Sequence, residues 1–230
     1  MDRVTLKMDA KAAMRQAAIS PYGFTVIFIA IVVILEVVET FFNINEVILD
    51  TIFGYRDLWQ LLSFIRTSAA FYVIYFVVST LIDFGYQSFS LKVSKRDDTM
   101  SYWDMFSSVR YIWKAVLLTI VMFVLELLWS LLLIIPGIIA SYRYSQAVLI
   151  LVENPEKGIF QCIHESSEMM KGHKWEYFVL ELSFLLWYLM AIFTCGLGAI
   201  YVIPYSNVTF ANFYNAIKPD TNMAPDRNLE

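Results

Sequence analysis

The chain has 230 residues, of which 59% are hydrophobic and only 17% charged, with a mean hydropathy of +0.59. A water-soluble domain usually carries about a quarter charged residues, so this composition argues against one and asks for lipid as the solvent. The net charge of −4 excludes the basic footprint of a nucleic-acid binder, and no nucleic acid is expected as a partner.

In chain order, residues 4–18 read as an amphipathic helix. The first apolar run starts at Gly23 and has no small-residue cleavage site behind it, so it reads as a retained span rather than a signal peptide. A spanning helix needs about twenty mainly apolar residues, because lipid offers backbone groups no hydrogen-bond partner. Six stretches approach that length: residues 23–42, 69–90, 115–135, 137–152, 177–194 and 197–217. The fourth is the weakest, being short and holding Arg143 and Gln146. Leu58, Leu61, Leu62 and Ile65 lie at helical spacing and extend the second span beyond the bilayer.

Punctuation fits three hairpins, each led by an amphipathic helix. Ser101-Tyr102-Trp103-Asp104 matches a capping box and opens the second leading helix, with Trp103, Phe106, Val109 and Trp113 on one face. Pro136-Gly137 marks the turn between the third and fourth spans. Asn154 as N-cap with Pro155 at the first helical position opens the third leading helix. That helix carries Ile159, Ile163 and Met170 on one side and stops at Gly172. Gly196-Leu197-Gly198 turns the chain between the last two spans. Pro204 is expected to kink the last span, freeing backbone groups for Ser206 or Asn207. The expected fold is all-α: one integral-membrane domain over residues 1–217, then a disordered cytoplasmic tail, 218–230.

Charge sets the orientation, since Lys and Arg concentrate in cytoplasmic loops. With six spans and a cytoplasmic start, every one of the 17 basic residues except Arg56, Arg66 and Arg143 falls on the cytoplasmic side. Both termini are then cytoplasmic in a bacterial cytoplasmic (inner or plasma) membrane. Cys162 and Cys195 fall on opposite sides and are expected to be free thiols.

Ionisable groups in lipid cost about 2.5–3.5 kcal/mol each near a helix centre. Glu126 and Arg143 flank the Pro136-Gly137 turn at similar depth, which predicts an intramembrane ion pair. Glu36 and Glu39, three residues apart on one face, form a candidate proton or cation site. Asp83 and Glu181 fall near the cytoplasmic ends, where they are expected to be solvated. Lys171, Gly172, His173 and Lys174 form a cationic cluster suited to headgroup phosphates. Catalytic motifs are missing: there is no phosphate-cradling glycine loop, no Gly-x-Ser-x-Gly elbow and no paired-cysteine spacing. No cofactor and no metal is expected; His164 and Glu168 share a helix face but lack a second histidine.

From the third span onward the chain resembles one family. The residues are Leu131-Leu132-Leu133-Ile134-Ile135-Pro136-Gly137-Ile138-Ile139, Tyr144-Ser145, Glu153-Asn154-Pro155, Met170-Lys171-Gly172-His173-Lys174, and Leu182-Ser183-Phe184 with Trp187. Gly196-Leu197-Gly198, Pro204-Tyr205 and Phe213-Tyr214 continue the likeness, as do Leu6-Lys7, Ala10-Lys11 and Gly85-Tyr86 nearer the start. Together they resemble the uncharacterised bacterial integral-membrane family catalogued as domain of unknown function 975. That family is remotely similar to the membrane domain attached to some glycerophosphodiester phosphodiesterases. The chain departs from the family pattern at Glu153, usually aspartate, and around Ser20-Pro21-Tyr22. The resemblance implies fold and location and carries no activity.

The sequence therefore predicts a non-catalytic multi-pass protein, with membrane lipids around it and a lipid, an apolar small molecule or a protein partner as ligand. A small proton-coupled transporter using the intramembrane carboxylates is the alternative.

Overall fold

The computed structural model describes residues 2–53 and 58–219. Among them lie nine α-helices and one 3-10 helix, with no strand. The helices are α1 (Arg3–Gln16), α2 (Pro21–Phe53), α3 (Leu58–Lys95), α4 (Ile112–Leu132), α5 (Ile134–Tyr144), α6 (Ala147–Glu153), α7 (Ile159–Met169), α8 (Lys174–Phe193) and α9 (Ala199–Ile217); the 3-10 helix, Tyr102–Tyr111, precedes α4. Arg56 and residues 220–230, most of the predicted tail, lie outside the described residues.

Five stretches are long and apolar enough to cross a membrane: Pro21–Phe42, Ser68–Lys95, Tyr102–Leu131, Ile135–Glu153 and Lys174–Phe193. The weak member is not the fourth run but the last. α9 carries Ser206, Asn207, Thr209, Asn212 and Asn215, too polar for a helix facing lipid. It tolerates them because it is central: α1, α2, α3 and α8 all pack against it. Gln87 donates to Asn207 at 3.2 Å, Ser94 donates to Asn212 at 2.5 Å, and Asn215 donates to Ser94 at 2.7 Å. These pairs make α3 and α9 parallel neighbours stitched by side-chain hydrogen bonds.

The same pairs fix depth. With residue 87 beside residue 207, the start of α9 at Ala199 lies level with about residue 79 of α3, and α3 runs on for about 30 Å to Leu58. The α8–α9 hairpin is thus much shorter than the α2–α3 hairpin. The latter confirms the extension predicted beyond the second apolar run, from Leu58 onward.

Two glycines set close approaches. A Cβ on Gly85 would lie 1.9 Å from the Met105 carbonyl oxygen, so glycine lets the 3-10 helix lie directly on α3. A Cβ on Gly137 would lie 2.2 Å from Ser130 Oγ, so glycine and serine let α5 fold back on α4. The turn between them is not at Pro136-Gly137. It is at Leu133, extended at φ −165°, and Pro136 sits in the first turn of α5, where a missing N–H leaves nothing unpaired.

The leading helices also differ from expectation. α1 forms as predicted, with Asp2 Oδ1 accepting from the Val4 amide at 3.0 Å. The capping box at Ser101 and Asp104 forms too, but it opens a 3-10 helix, in which residues three apart eclipse. Trp103, Phe106 and Val109 make one exposed ridge there. Asn154 caps the end of α6 rather than starting the next helix, and Gly158 is the N-cap of α7. The apolar side of α7 faces protein: Ile163 and Met170 are buried.

Candidate functional site

The apolar fourth run is not one rod. It breaks after Tyr144, and α6 resumes at Ala147 and ends on Glu153. Glu153 is the hub of the basic end. Its carboxylate accepts from Lys95 on α3, from Lys218 at the end of α9 at 2.7 Å, and from the Tyr214 hydroxyl at 2.5 Å. Its side chain is 14% exposed, so two ammonium groups and a phenol together replace the water it loses. One carboxylate thereby ties α3, α6 and α9.

Beside this hub opens a cavity of about 640 Å³. Ile150, Met169 and Ile217 give it an apolar wall, and Lys157, Lys171, Lys218, His164 and His173 face Glu165 and Glu168 around it. Lys157 pairs with Glu165 at 2.6 Å, Lys171 with Glu168 at 2.6 Å, and His173 Nδ1 lies 2.8 Å from Glu176. The Lys171 hydrogen bond holds the Glu168 carboxyl below the usual carboxylate range. Such a chamber suits a molecule with an apolar body and an ionised head. Among the described residues no group of three or more His, Cys, Asp and Glu is placed to hold a metal ion.

Of the predicted cationic cluster, Lys171 and His173 line this cavity; Gly172, at φ +82°, makes the turn, and Lys174 begins α8. In the sequence Glu153 stands out only as a departure from a family motif. A carboxylate closing an apolar run before Asn-Pro was the available signal. The partners Lys95 and Lys218 are too distant along the chain to suggest themselves.

The predicted Glu126–Arg143 ion pair is absent from the ion pairs of the described residues. Arg143 instead donates from Nε to Ser167 on α7 at 2.6 Å. The cause is that α5 packs on α7 as well as on α4: Ser166 of α7 donates to the Arg143 carbonyl at 2.9 Å and accepts from the Gln146 amide at 3.1 Å. Glu126 stays on α4, with no hydrogen bond or ion pair among the described residues. Glu36 accepts from the Tyr75 hydroxyl at 3.3 Å, and Glu39 also reaches that hydroxyl. Asp83, twelve residues before the end of α3, is exposed and lines a cavity of about 190 Å³ with Tyr75 and Ser79. Glu181 accepts from Tyr142 at 2.9 Å. Pro204 lies inside an unbroken helix, and Ser206 and Asn207 both donate to the Ile203 carbonyl. Cys162 and Cys195 are both free.

These features define a class: an all-helical protein with several helices of membrane-crossing length. Residues 130–221 match the profile of the family described as protein of unknown function (DUF975), the segment that builds α5 to α9 and the cavity. The likeness to the membrane domain of glycerophosphodiester phosphodiesterases finds no counterpart in that match. Comparison with curated proteins and with solved structures returns no match.

Proposed function

We propose that the chain is a non-catalytic multi-pass module of the bacterial cytoplasmic membrane that binds an amphiphile, a lipid or an apolar small molecule with an ionised head, in the cavity beside Glu153. The observation carrying this reading is the cavity itself: about 640 Å³ with an apolar wall and paired charges of both signs, of a size typical of ligand sites. Purification from native membrane in mild detergent, with mass spectrometry of bound molecules, tests it. The expected result is one retained amphiphile, lost when Ile150→Trp fills the cavity; retention undiminished by that substitution overturns the reading.

Three hairpins entering from the lysine-rich side keep both termini cytoplasmic. The third need not cross. Lys7 reaches the Ser183 carbonyl at 3.3 Å and lies over the Phe184 ring, and Lys11 lies over Tyr205. Ammonium groups seek the headgroup layer. From Phe184 to the end of α8 at Phe193 is only about 14 Å, against a hydrocarbon thickness of about 30 Å. The turn beyond is apolar, with Phe193 and Leu197 exposed. Its amides from Thr194 to Val202 all have partners within the hairpin, Thr194 Oγ1 taking the Gly198 amide at 2.9 Å. That economy suits a tip resting in lipid. Cys195 should then resist an impermeant thiol reagent applied from either side yet react with a membrane-permeant one; labelling from outside by the impermeant reagent overturns the shallow hairpin.

The transporter reading has one observation in its favour, the carboxylates Glu36 and Asp83 around Tyr75 and Ser79. Proton flux in vesicles that vanishes with Glu36→Gln would establish it.

A further inference from the structure

Residues 103–111 repeat in threes: Trp103-Asp104-Met105, Phe106-Ser107-Ser108, Val109-Arg110-Tyr111. A 3-10 helix has three residues per turn, so each place in the triplet becomes one face. Met105, Ser108 and Tyr111 are buried against α3 and α4; Trp103, Phe106 and Val109 are exposed. The remaining face holds Asp104, Ser107 and Arg110. Asp104 is taken by Lys92 at 2.7 Å. Ser107 and Arg110 open onto a cavity of about 370 Å³ that Lys114, Trp113, Pro155 and Glu156 complete.

Part of the hydrogen-bonding capacity of that cavity is unspent. Ser107 Oγ is buried without a partner. Lys114 donates to the Pro155 carbonyl at 2.6 Å and to the Lys157 carbonyl at 3.4 Å, which orients its ammonium but leaves the charge unmatched by any carboxylate. Arg110 is exposed and makes no hydrogen bond or ion pair among the described residues. Two cations and a hydroxyl outweigh the single carboxylate of Glu156 and converge on a space that a tetrahedral anion fills.

The height of the cavity names the source of that anion. Immediately beyond Lys114, Leu117, Ile120 and Val124 stand exposed along one face of α4, continuing the apolar line that begins at Trp113. The site therefore sits where hydrocarbon gives way to headgroups. We propose that Ser107, Arg110 and Lys114 bind the phosphodiester of a membrane phospholipid, whose acyl chain lies along Leu117 and Ile120. The proposal rests on the membrane reading above and is independent of the cavity beside Glu153.

The test is native mass spectrometry of the full chain, delipidated in detergent and titrated with phosphatidylglycerol. Wild type should show a saturable adduct. Arg110→Gln with Lys114→Gln should weaken it by at least about tenfold, since each removes a charge-assisted hydrogen bond. Ser107→Ala, a change too small to disturb folding, should weaken it about threefold. Ile150→Trp, in the other cavity, should leave it unchanged; a loss there with none at Arg110 and Lys114 assigns the lipid to that cavity and overturns this proposal. So does an equal adduct in the double variant, or displacement of the lipid by inorganic phosphate at matching concentration, which would mark a site for free phosphate.

Discussion

The α2–α3 and α8–α9 hairpins start from the same lysine-rich end and solve different problems. α2–α3 is long and lightly packed: Phe42 stacks on Phe71 with ring centroids 4.1 Å apart, Tyr75 touches Glu36, and Val33, Ile34, Val37, Val73 and Ile74 stay exposed. α8–α9 is short and partly interior, with Phe184, Val202, Tyr205, Val208 and Phe213 buried. The difference teaches that polarity in a membrane helix follows its neighbours. α9 keeps three asparagines because α1 and α3 supply partners, Asn212 reaching the Leu6 carbonyl at 3.2 Å. α2 has no such cover over most of its length and must be apolar.

Substitutions can break this contrast. The largest effect is expected at Gly85, where α3 changes from lipid-facing rod to packed core. Gly85→Val forces the Met105 backbone away and should cost about 3 kcal/mol or more, read as a fall in the midpoint of thermal unfolding in detergent. Glu153→Gln should come next, at about 3 kcal/mol, because Lys95 and Lys218 lose their shared carboxylate; Lys218→Gln added to it should recover part of the loss. Leu197→Lys places a charge at the tip of the short hairpin. If that tip rests in lipid, folded yield falls by an amount equivalent to about 2.5 kcal/mol, whereas a tip in water would accept lysine without change. The smallest effect is expected at Glu36→Gln on the loosely packed hairpin, below about 0.5 kcal/mol, and a larger loss would show that α2–α3 depends on its polar contact. Accessibility sharpens the contrast further. Cys162 is wholly buried, and burial first, then Glu165, raises its thiol above the usual range, so at neutral pH it should alkylate far more slowly than Cys195 in detergent.

Much of this was legible from residue order. The apolar runs, the capping box at Ser101 and the turn at 196–198 all rest on short-range rules. The misreadings share a cause. Asn154-Pro155 has every local mark of a helix start, yet Asn154 ends α6, because Glu153 is held by α3 and α9. Glu126 and Arg143 have matching depth on paper, yet α5 also packs on α7, where Arg143 donates to Ser167. The triplet pattern at 103–111 was visible as an apolar face, but a 3.6-residue reading placed Trp113 on it and hid the Ser107–Arg110 face.

By itself the sequence determined that the chain is helical, that several of its helices are long and apolar enough to cross a membrane, and roughly where each apolar run starts and stops. Those properties follow from backbone groups that must pair within a segment, a requirement local to each run. Tertiary structure decided which polar side chains meet: the Glu153 hub, the asparagine ladder of α9 and the open Ser107–Arg110–Lys114 cavity. The hub and the ladder join residues tens to hundreds of positions apart, and the cavity is closed by Pro155, 41 positions from Lys114; a hydrogen bond acts over about 3 Å, so only the packed chain could select these partners.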